Sequence, residues 1–341
     1  MDNPSGQTPP PSQQLFERIT GYWVSQVIGA VARLGVADKL AAGARASDEL
    51  ARELDANPDG LYRLLRGGVT AGLFEESAPR TFSLTPMGAC LRSNVPGSMR
   101  DMSIALCDRS HWLPWGRLHE AARTGHSTSR AALGIDIWEH FAKHPEEATH
   151  FARAMGDLSG LVATELPRLH DFSSYARVAD IGGSQGVLLA SVLRANPSVR
   201  GILFDLPHVI DGARARLQAE GLADRVELVG GSFFEPGVPA AEAYLLKHIL
   251  HDWDDASSTR ILQQLHRAAP SGAKLFLLEM VMPGDRNPTP TALMDLNMLV
   301  LVDGRERTAQ EFKALLDGAS WEMERVTPSQ MGISLIEARR R

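Results

Sequence analysis

Only two cysteines occur in the 341 residues, Cys90 and Cys107. Two cannot build a disulfide framework, nor a zinc site by themselves. No apolar run reaches the ~18–20 residues that span a bilayer. The opening stretch MDNPSGQTPPPSQQ lacks the basic region and apolar core of a signal peptide. It is rich in Pro, Ser and Gln, so residues 1–14 are expected to form a disordered tail. A cytoplasmic location follows as the default expectation. A basic excess is also missing. The net charge is −6, which argues against a nucleic-acid partner. No membrane partner is expected either. What remains, 44% hydrophobic and 22% charged residues, describes a globular chain long enough for two domains.

The first half reads as helical. Apolar residues recur at helical spacing from Leu15 to Leu34. Val24 and Ile28 place apolar side chains on the other sides too, so this helix should be buried, with a second subunit as one cover. Ser47 is a candidate N-cap for a helix to Leu54, and Pro58 to Ala71 forms another, stopped by Gly72. Leu73–Leu84 reads as a small hairpin, which completes a winged helix-turn-helix over residues 15–98. Such a module can read DNA, or it can serve dimerisation and cover a substrate pocket. Residues 1–100 carry ten acidic and ten basic side chains, so the second use is favoured, because a groove reader needs a basic excess. Residues 99–170 are mostly helical and carry Trp112, Trp115, Phe151 and Met155. Phe151, Met155 and Ser159 stand four apart on one helix face. Taken singly, each of these residues reads as core packing.

From residue 171 the pattern changes to α/β. Strands are expected at 176–180, 200–204, 225–229, 243–246, 273–278, 320–326 and 333–337, with helices between most of them. That alternation implies a doubly wound, Rossmann-like sheet of about seven strands with an irregular edge. Ligands of such sheets lie beyond the C-terminal strand ends, at the switch in strand order. There the sequence places VADIGGSQG (178–186), the acid Asp205, the GSFF segment and KHILHDW (247–253). No G-x-G-x-x-G can be read from Gly182 to Gly186, which disfavours a dinucleotide and an NAD-dependent oxidoreductase. A nucleoside without a pyrophosphate fits better, with Asp205 accepting from the ribose hydroxyls.

KHILHDWDD carries the sharpest chemistry. His251 is the candidate general base, because an imidazole titrates near neutrality. A phenol, with a pKa of about 10, becomes far more nucleophilic as it loses its proton. Glu279, ending the strand KLFLLE, and Glu306, in DGRERT, are candidate orienting carboxylates. His248 reads as structural or solvent-facing, and Asp254 and Asp255 as helix-start acids. A hard cation held by His251, Asp252 and Asp254 is the rival for this cluster. It is disfavoured by the scarcity of carboxylates at the other strand ends.

With DIGGSQG, FDLPHVI, YLLKHILHDWDD and GRERT in this order, the chain resembles the S-adenosylmethionine-dependent O-methyltransferases of the caffeic-acid/isoflavone type. It is most like their bacterial members that tailor aromatic natural products, over roughly residues 15–338. The resemblance implies a homodimer formed through the N-terminal winged-helix domain. It implies pocket helices over 99–170 and a cofactor-binding methyltransferase domain over 171–341. Carried over position by position, Ser159, Asp180, Gly182, Gly183, Gly186, Asp205, Leu206, Ser232, Phe233 and Lys247 would hold S-adenosylmethionine. His251 would be the base, with Glu279 and Glu306 beside it. Trp112, Phe151, Met155, Asp252, Asn297 and Met298 would meet an aromatic acceptor. No metal is implied. The reaction would be methylation of a phenol, hydroxyphenazine or polyketide hydroxyl, leaving S-adenosylhomocysteine. Two rivals remain: a cofactor-bound relative doing hydroxylation, decarboxylation or rearrangement, and a winged-helix regulator that senses a small molecule. Three positions depart from the family pattern. Ser184 and Asp303 stand where members often have glycine, and Ser232 stands where they have an aspartate for the adenine amino group.

Overall fold

A computed structural model describes residues 9–284 and 289–341. The chain divides into two compact units, one of residues 1–112 and 146–154, the other of residues 113–145 and 155–341. Residues 99–170 therefore form no body of their own but are shared between the two. Among the described residues no helix is long and apolar enough to cross a membrane.

In the first unit the opening helix spans Pro11–Leu34. It starts four residues ahead of the expected Leu15, because Pro11 supplies the fixed φ that suits a first helical turn. Residues 1–8 of that tail lie outside the described residues. The C-terminal half of the helix buries Val31 and Ala32, while Leu15, Phe16, Ile19 and Trp23 are each more than half exposed (58, 59, 60 and 55%). Within one chain, then, the apolar first half of this helix is uncovered. The winged helix-turn-helix is present as helices Ser47–Glu53 and Pro58–Thr70 followed by strands Phe74–Ala78 and Thr81–Leu84. Asn57 caps the second helix by accepting from the Gly60 N–H at 2.9 Å. Ser47 is not a cap: Ala46 holds that position, and the Ser47 hydroxyl is buried without a partner among the described residues.

The second unit is built on seven strands: β1 (Arg177–Ile181), β2 (Arg200–Asp205), β3 (Val226–Gly230), β4 (Ala243–Lys247), β5 (Lys274–Glu279), β6 (Trp321–Pro328) and β7 (Ser334–Arg340). Their spatial order is β6-β7-β5-β4-β1-β2-β3. The sheet is parallel except at β7, which runs against both its neighbours. Each expected strand is present, displaced by up to three residues at its ends. Alternate residues feed two cores. Ala179, Ile202, Tyr244 and Leu275 face one layer of helices, and Val178, Leu203, Leu245 and Phe276 face the other. A strand buried on both faces must read as a continuous apolar run, which is why these were visible in sequence. The chain leaves β1 toward β2 and β3, then returns to β4 on the other side of β1. The strand-order switch thus falls between β1 and β4, and a crevice opens there.

Candidate functional site

The turn after β1 fits a ligand that needs close backbone approach. Gly182 has φ +69°, and a Cβ there would fall 2.5 Å from the Ile249 side chain and 3.8 Å from Phe233. A Cβ on Gly183 would sit 2.6 Å from the carboxyl carbon of Asp180. These glycines bring the β1, β3 and β4 ends together. Ser184, directly after them, has φ +50°, a left-handed conformation. That explains the glycine found at this position in the family pattern. At the end of β2, Asp205 accepts from the Ser184 N–H at 2.8 Å and the Leu206 N–H at 2.7 Å. The glycine turn itself holds the carboxylate at the end of β2. Asp180 is buried, and its Oδ2 has no hydrogen-bond partner among the described residues. Burial pushes that carboxyl up to about 7. At Ser232, the hydroxyl accepts weakly from the Phe234 N–H at 3.3 Å.

The segment after β4 is a tight 3-10 turn over Leu250–Asp252, clamped from both sides. Glu279, fully buried at the end of β5, accepts the Ile249 and Leu250 N–H groups at 3.2 and 3.0 Å. The carbonyls are held from the GRERT segment. Arg307, also fully buried, donates to Leu250 O at 2.8 Å and Trp253 O at 2.7 Å. The Arg305 N–H donates to His251 O at 2.8 Å. Asp255 pairs with Arg307 at 2.8 Å. Asp254 caps the following helix as expected, accepting from Ser257 N–H. Distant segments DGRERT and KHILHDWDD are one structure for a physical reason: the buried guanidinium satisfies the turn's carbonyls.

This clamp aims His251. Its Nδ1 lies 2.9 Å from Glu306 Oε1 and 4.0 Å from Glu279 Oε2, and its Nε2 lies 3.5 Å from Asp252 Oδ1. All three carboxyls are pushed up by burial: Glu306 to about 8, Glu279 to about 7 and Asp252 to about 6. Asp295, which accepts the Glu306 N–H at 2.8 Å, adds to the rise at Glu306. His251 opposes it at Glu279 and Asp252. Oxygens Glu279 Oε2 and Glu306 Oε2 are buried without hydrogen-bond partners among the described residues. Once Glu306 is ionised, Nδ1–H donates to it and leaves the Nε2 lone pair free to take a proton. The same His251, Glu279 and Glu306 offer ligand atoms within 4.8 Å of one another, so the cluster could also hold a cation.

Lys247 and His248 complete the cluster. Burial lowers the affinity of Lys247 for its proton, against the pull of Glu279, Asp180 and Asp252. Of the two readings open for His248, structural or solvent-facing, its buried Nε2 excludes the second. Its ring stacks on that of His251, with centroids 4.8 Å apart and planes at 21°. No spacing rule could show this, because the left-handed φ of +53° at His248 turns both histidines inward.

The expected acceptor residues divide. Asn297 lies on the helix Thr291–Val302, and its Oδ1 receives the Trp115 indole N–H at 2.8 Å. Met298 is buried on the same helix, and its carbonyl accepts from Gly304 N–H at 3.2 Å. Met155 and Ser159 lie on the helix Pro145–Leu169, joined by the Ser159 hydroxyl donating to Met155 O at 2.8 Å. Trp112 and Phe151 belong to the first unit, Trp112 against Tyr22 at 6.2 Å and Phe151 against His111 at 5.7 Å. Two residues escaped the sequence reading. Trp115 was one aromatic among many, and Asp295 carried no motif.

Two family models match this chain. An O-methyltransferase domain covers residues 115–322, and an O-methyltransferase dimerisation domain covers residues 16–94. A phenazine O-methyltransferase of Lysobacter antibioticus is 39% identical over 330 residues, covering 97% of this chain and 96% of that protein. The structure of a mitomycin 7-O-methyltransferase superposes with TM-score 0.91 at 35% identity, covering 97% of this chain and 98% of that one. A neocarzinostatin-pathway O-methyltransferase, solved with S-adenosylmethionine and a hydroxynaphthoic acid, gives TM-score 0.81 at 31% identity, with coverage of 92% and 95%.

Proposed function

The chain belongs to the O-methyltransferase family, and from that premise we propose that it methylates a hydroxyl of an aromatic natural-product-like molecule, with His251 as the general base. One observation carries the mechanism: a buried imidazole bonded at Nδ1 to Glu306 at 2.9 Å, at the strand ends beside the glycine turn. S-adenosylmethionine, when bound, supplies the methyl group already activated on a sulfonium. Gly182, Gly183 and Gly186 would let the protein backbone come close to it, and Asp205 would accept from its ribose hydroxyls. Leu206, Ser232 and Phe233 would flank its adenine, and Lys247, Asp180 and Ser159 would surround its amino-acid end. The remaining work is proton handling. His251 takes the hydroxyl proton at Nε2, while Glu306, backed by Glu279, stabilises the imidazolium that forms. Asn297, Met298, Met155, Phe151, Trp112 and Asp252 are the residues we assign to the acceptor. This reading needs no metal, so dialysis against EDTA should leave turnover intact. Loss restored by zinc or magnesium would favour the cation alternative at the three-ligand cluster.

The family's dimerisation domain and the exposed Phe16, Ile19 and Trp23 support a homodimer in which a second copy covers the first helix. Light scattering should give twice the chain mass. A cytoplasmic location, with no nucleic-acid or membrane partner, completes the reading. For the chemistry, labelled cofactor and phenolic acceptors should yield a labelled methyl ether. His251→Ala should lower turnover by about a hundredfold or more while S-adenosylhomocysteine still raises the melting temperature. Near-normal turnover in that variant would remove His251 as the base.

A further inference from the structure

His248 has no part in the proton transfer just described, yet it is built with care. It is the first residue past β4 and sits in the left-handed region that L residues avoid. Its N–H donates to Leu278 O at 3.0 Å, which pins the backbone there. The Lys247 ammonium lies 3.2 Å from its Nδ1. An ammonium can only donate, so Nδ1 accepts and the ring proton resides on Nε2. Burial, with Lys247 and His251 alongside, holds the ring's proton affinity well below the ordinary 6.5, so the imidazole stays neutral. Its Nε2–H is buried and has no partner among the described residues. A buried donor left open beside the base is a place for a ligand atom.

Resting on the methyl-transfer reading above, we infer that this Nε2–H is completed by the acceptor, donating to a ring nitrogen or carbonyl oxygen next to the hydroxyl that is methylated. The stacked imidazoles then divide the recognition. His251 accepts from the hydroxyl, and His248 donates to its neighbour. Hydroxylated nitrogen heterocycles and hydroxyquinones are the favoured class, and plain phenols of equal size are disfavoured. His248 is a specificity-determining residue, because an acceptor with only C–H at that place leaves the N–H unpaired.

Two three-ring phenols test this. 1-Hydroxyphenazine and 1-hydroxyanthracene share one outline, but the first has a nitrogen beside the hydroxyl where the second has C–H. The native enzyme should show a kcat/KM at least tenfold higher for the phenazine. His248→Asn suits the left-handed backbone but is too short to reach, so its ratio reports the intrinsic reactivities of the two phenols. That ratio should fall at least tenfold below the native one. His248→Gln, whose longer amide carries an N–H toward the lost position, should recover part of it. Equal efficiency with both phenols, or an unchanged ratio in His248→Asn, overturns the inference and leaves methyl transfer standing. Transfer to neither phenol overturns both. Weakened S-adenosylhomocysteine binding in His248→Asn with an unchanged ratio would assign the N–H to the cofactor and also overturn it.

Discussion

Replacing Glu306 with Gln should make the enzyme more stable at high pH and less active at once. Glu306 is 3% exposed, and burial raises its carboxyl from the ordinary 4.5 to about 8. A group whose folded pKa lies above its unfolded value stabilises the fold below about 4.5, and that contribution is lost as pH rises through about 8. The free energy involved is on the order of 5 kcal/mol, at 1.36 kcal/mol per pH unit. A glutamine keeps the shape and can accept from His251 Nδ1, yet never carries the buried charge. Urea unfolding should therefore give similar stabilities for the two proteins near pH 5. At pH 9 the variant should be the more stable, by up to that amount. Activity should move the other way. Ionised Glu306 stabilises the imidazolium formed on His251, so native turnover should climb between pH 6 and 8 as this carboxyl loses its proton. The variant should be slower by about a hundredfold, with a flatter profile. If Glu306→Gln were less stable than the native enzyme at pH 9, or as active, the reasoning about the buried charge would be wrong.

Three other substitutions probe how the site is held. Ser184→Gly should raise stability by about 0.5–1 kcal/mol in thermal melts, because relief of the left-handed serine exceeds the entropy glycine gains on unfolding. A lower melting temperature would show that the Ser184 side chain has a partner worth more than the strain. Gly304→Ala would place a Cβ 2.1 Å from the His251 carbonyl, a backbone atom that cannot swing aside. Turnover should drop at least a hundredfold with weakened folding, and a fully active, stable variant would refute the tight approach. Arg307→Ala would strip partners from the Leu250 and Trp253 carbonyls and leave a cavity, for a loss of about 3–5 kcal/mol in urea unfolding. A loss below about 1 kcal/mol would mean water replaces the guanidinium.

Much of the second unit was legible because it obeys short-range rules. Strands buried on both faces read as apolar runs, and the acids and glycines fall at their ends. The hairpin and paired helices of the first unit were legible by their turn residues. The misreadings share one cause, dependence on neighbours far away in sequence. Ser47 had the right chemistry for a cap, but the helix begins at Ser47 itself, so Ala46 takes the cap position. His248 looked idle because neither its φ nor its stacking partner is written in spacing. Asp303, an oddity before GRER, proves to be the left-handed end of the helix Thr291–Val302, where its carboxylate accepts from the Ser127 N–H.

The sequence by itself determined the seven-strand α/β unit, the winged-helix unit and the identity of His251, Glu279 and Glu306 as a set. These follow from hydrophobic period and from acids placed at the ends of buried strands, both local properties of the chain. Only the tertiary structure decided which carboxylate holds His251. It put Glu306 at 2.9 Å and Glu279 at 4.0 Å, and turned Glu279 to the backbone instead. Distances between segments 28 and 55 residues from His251 are fixed by how β4, β5 and the GRERT loop pack, and by the buried Arg307 that joins them. Burial then set the proton affinities, because the cost of charge depends on the surroundings a side chain meets after folding.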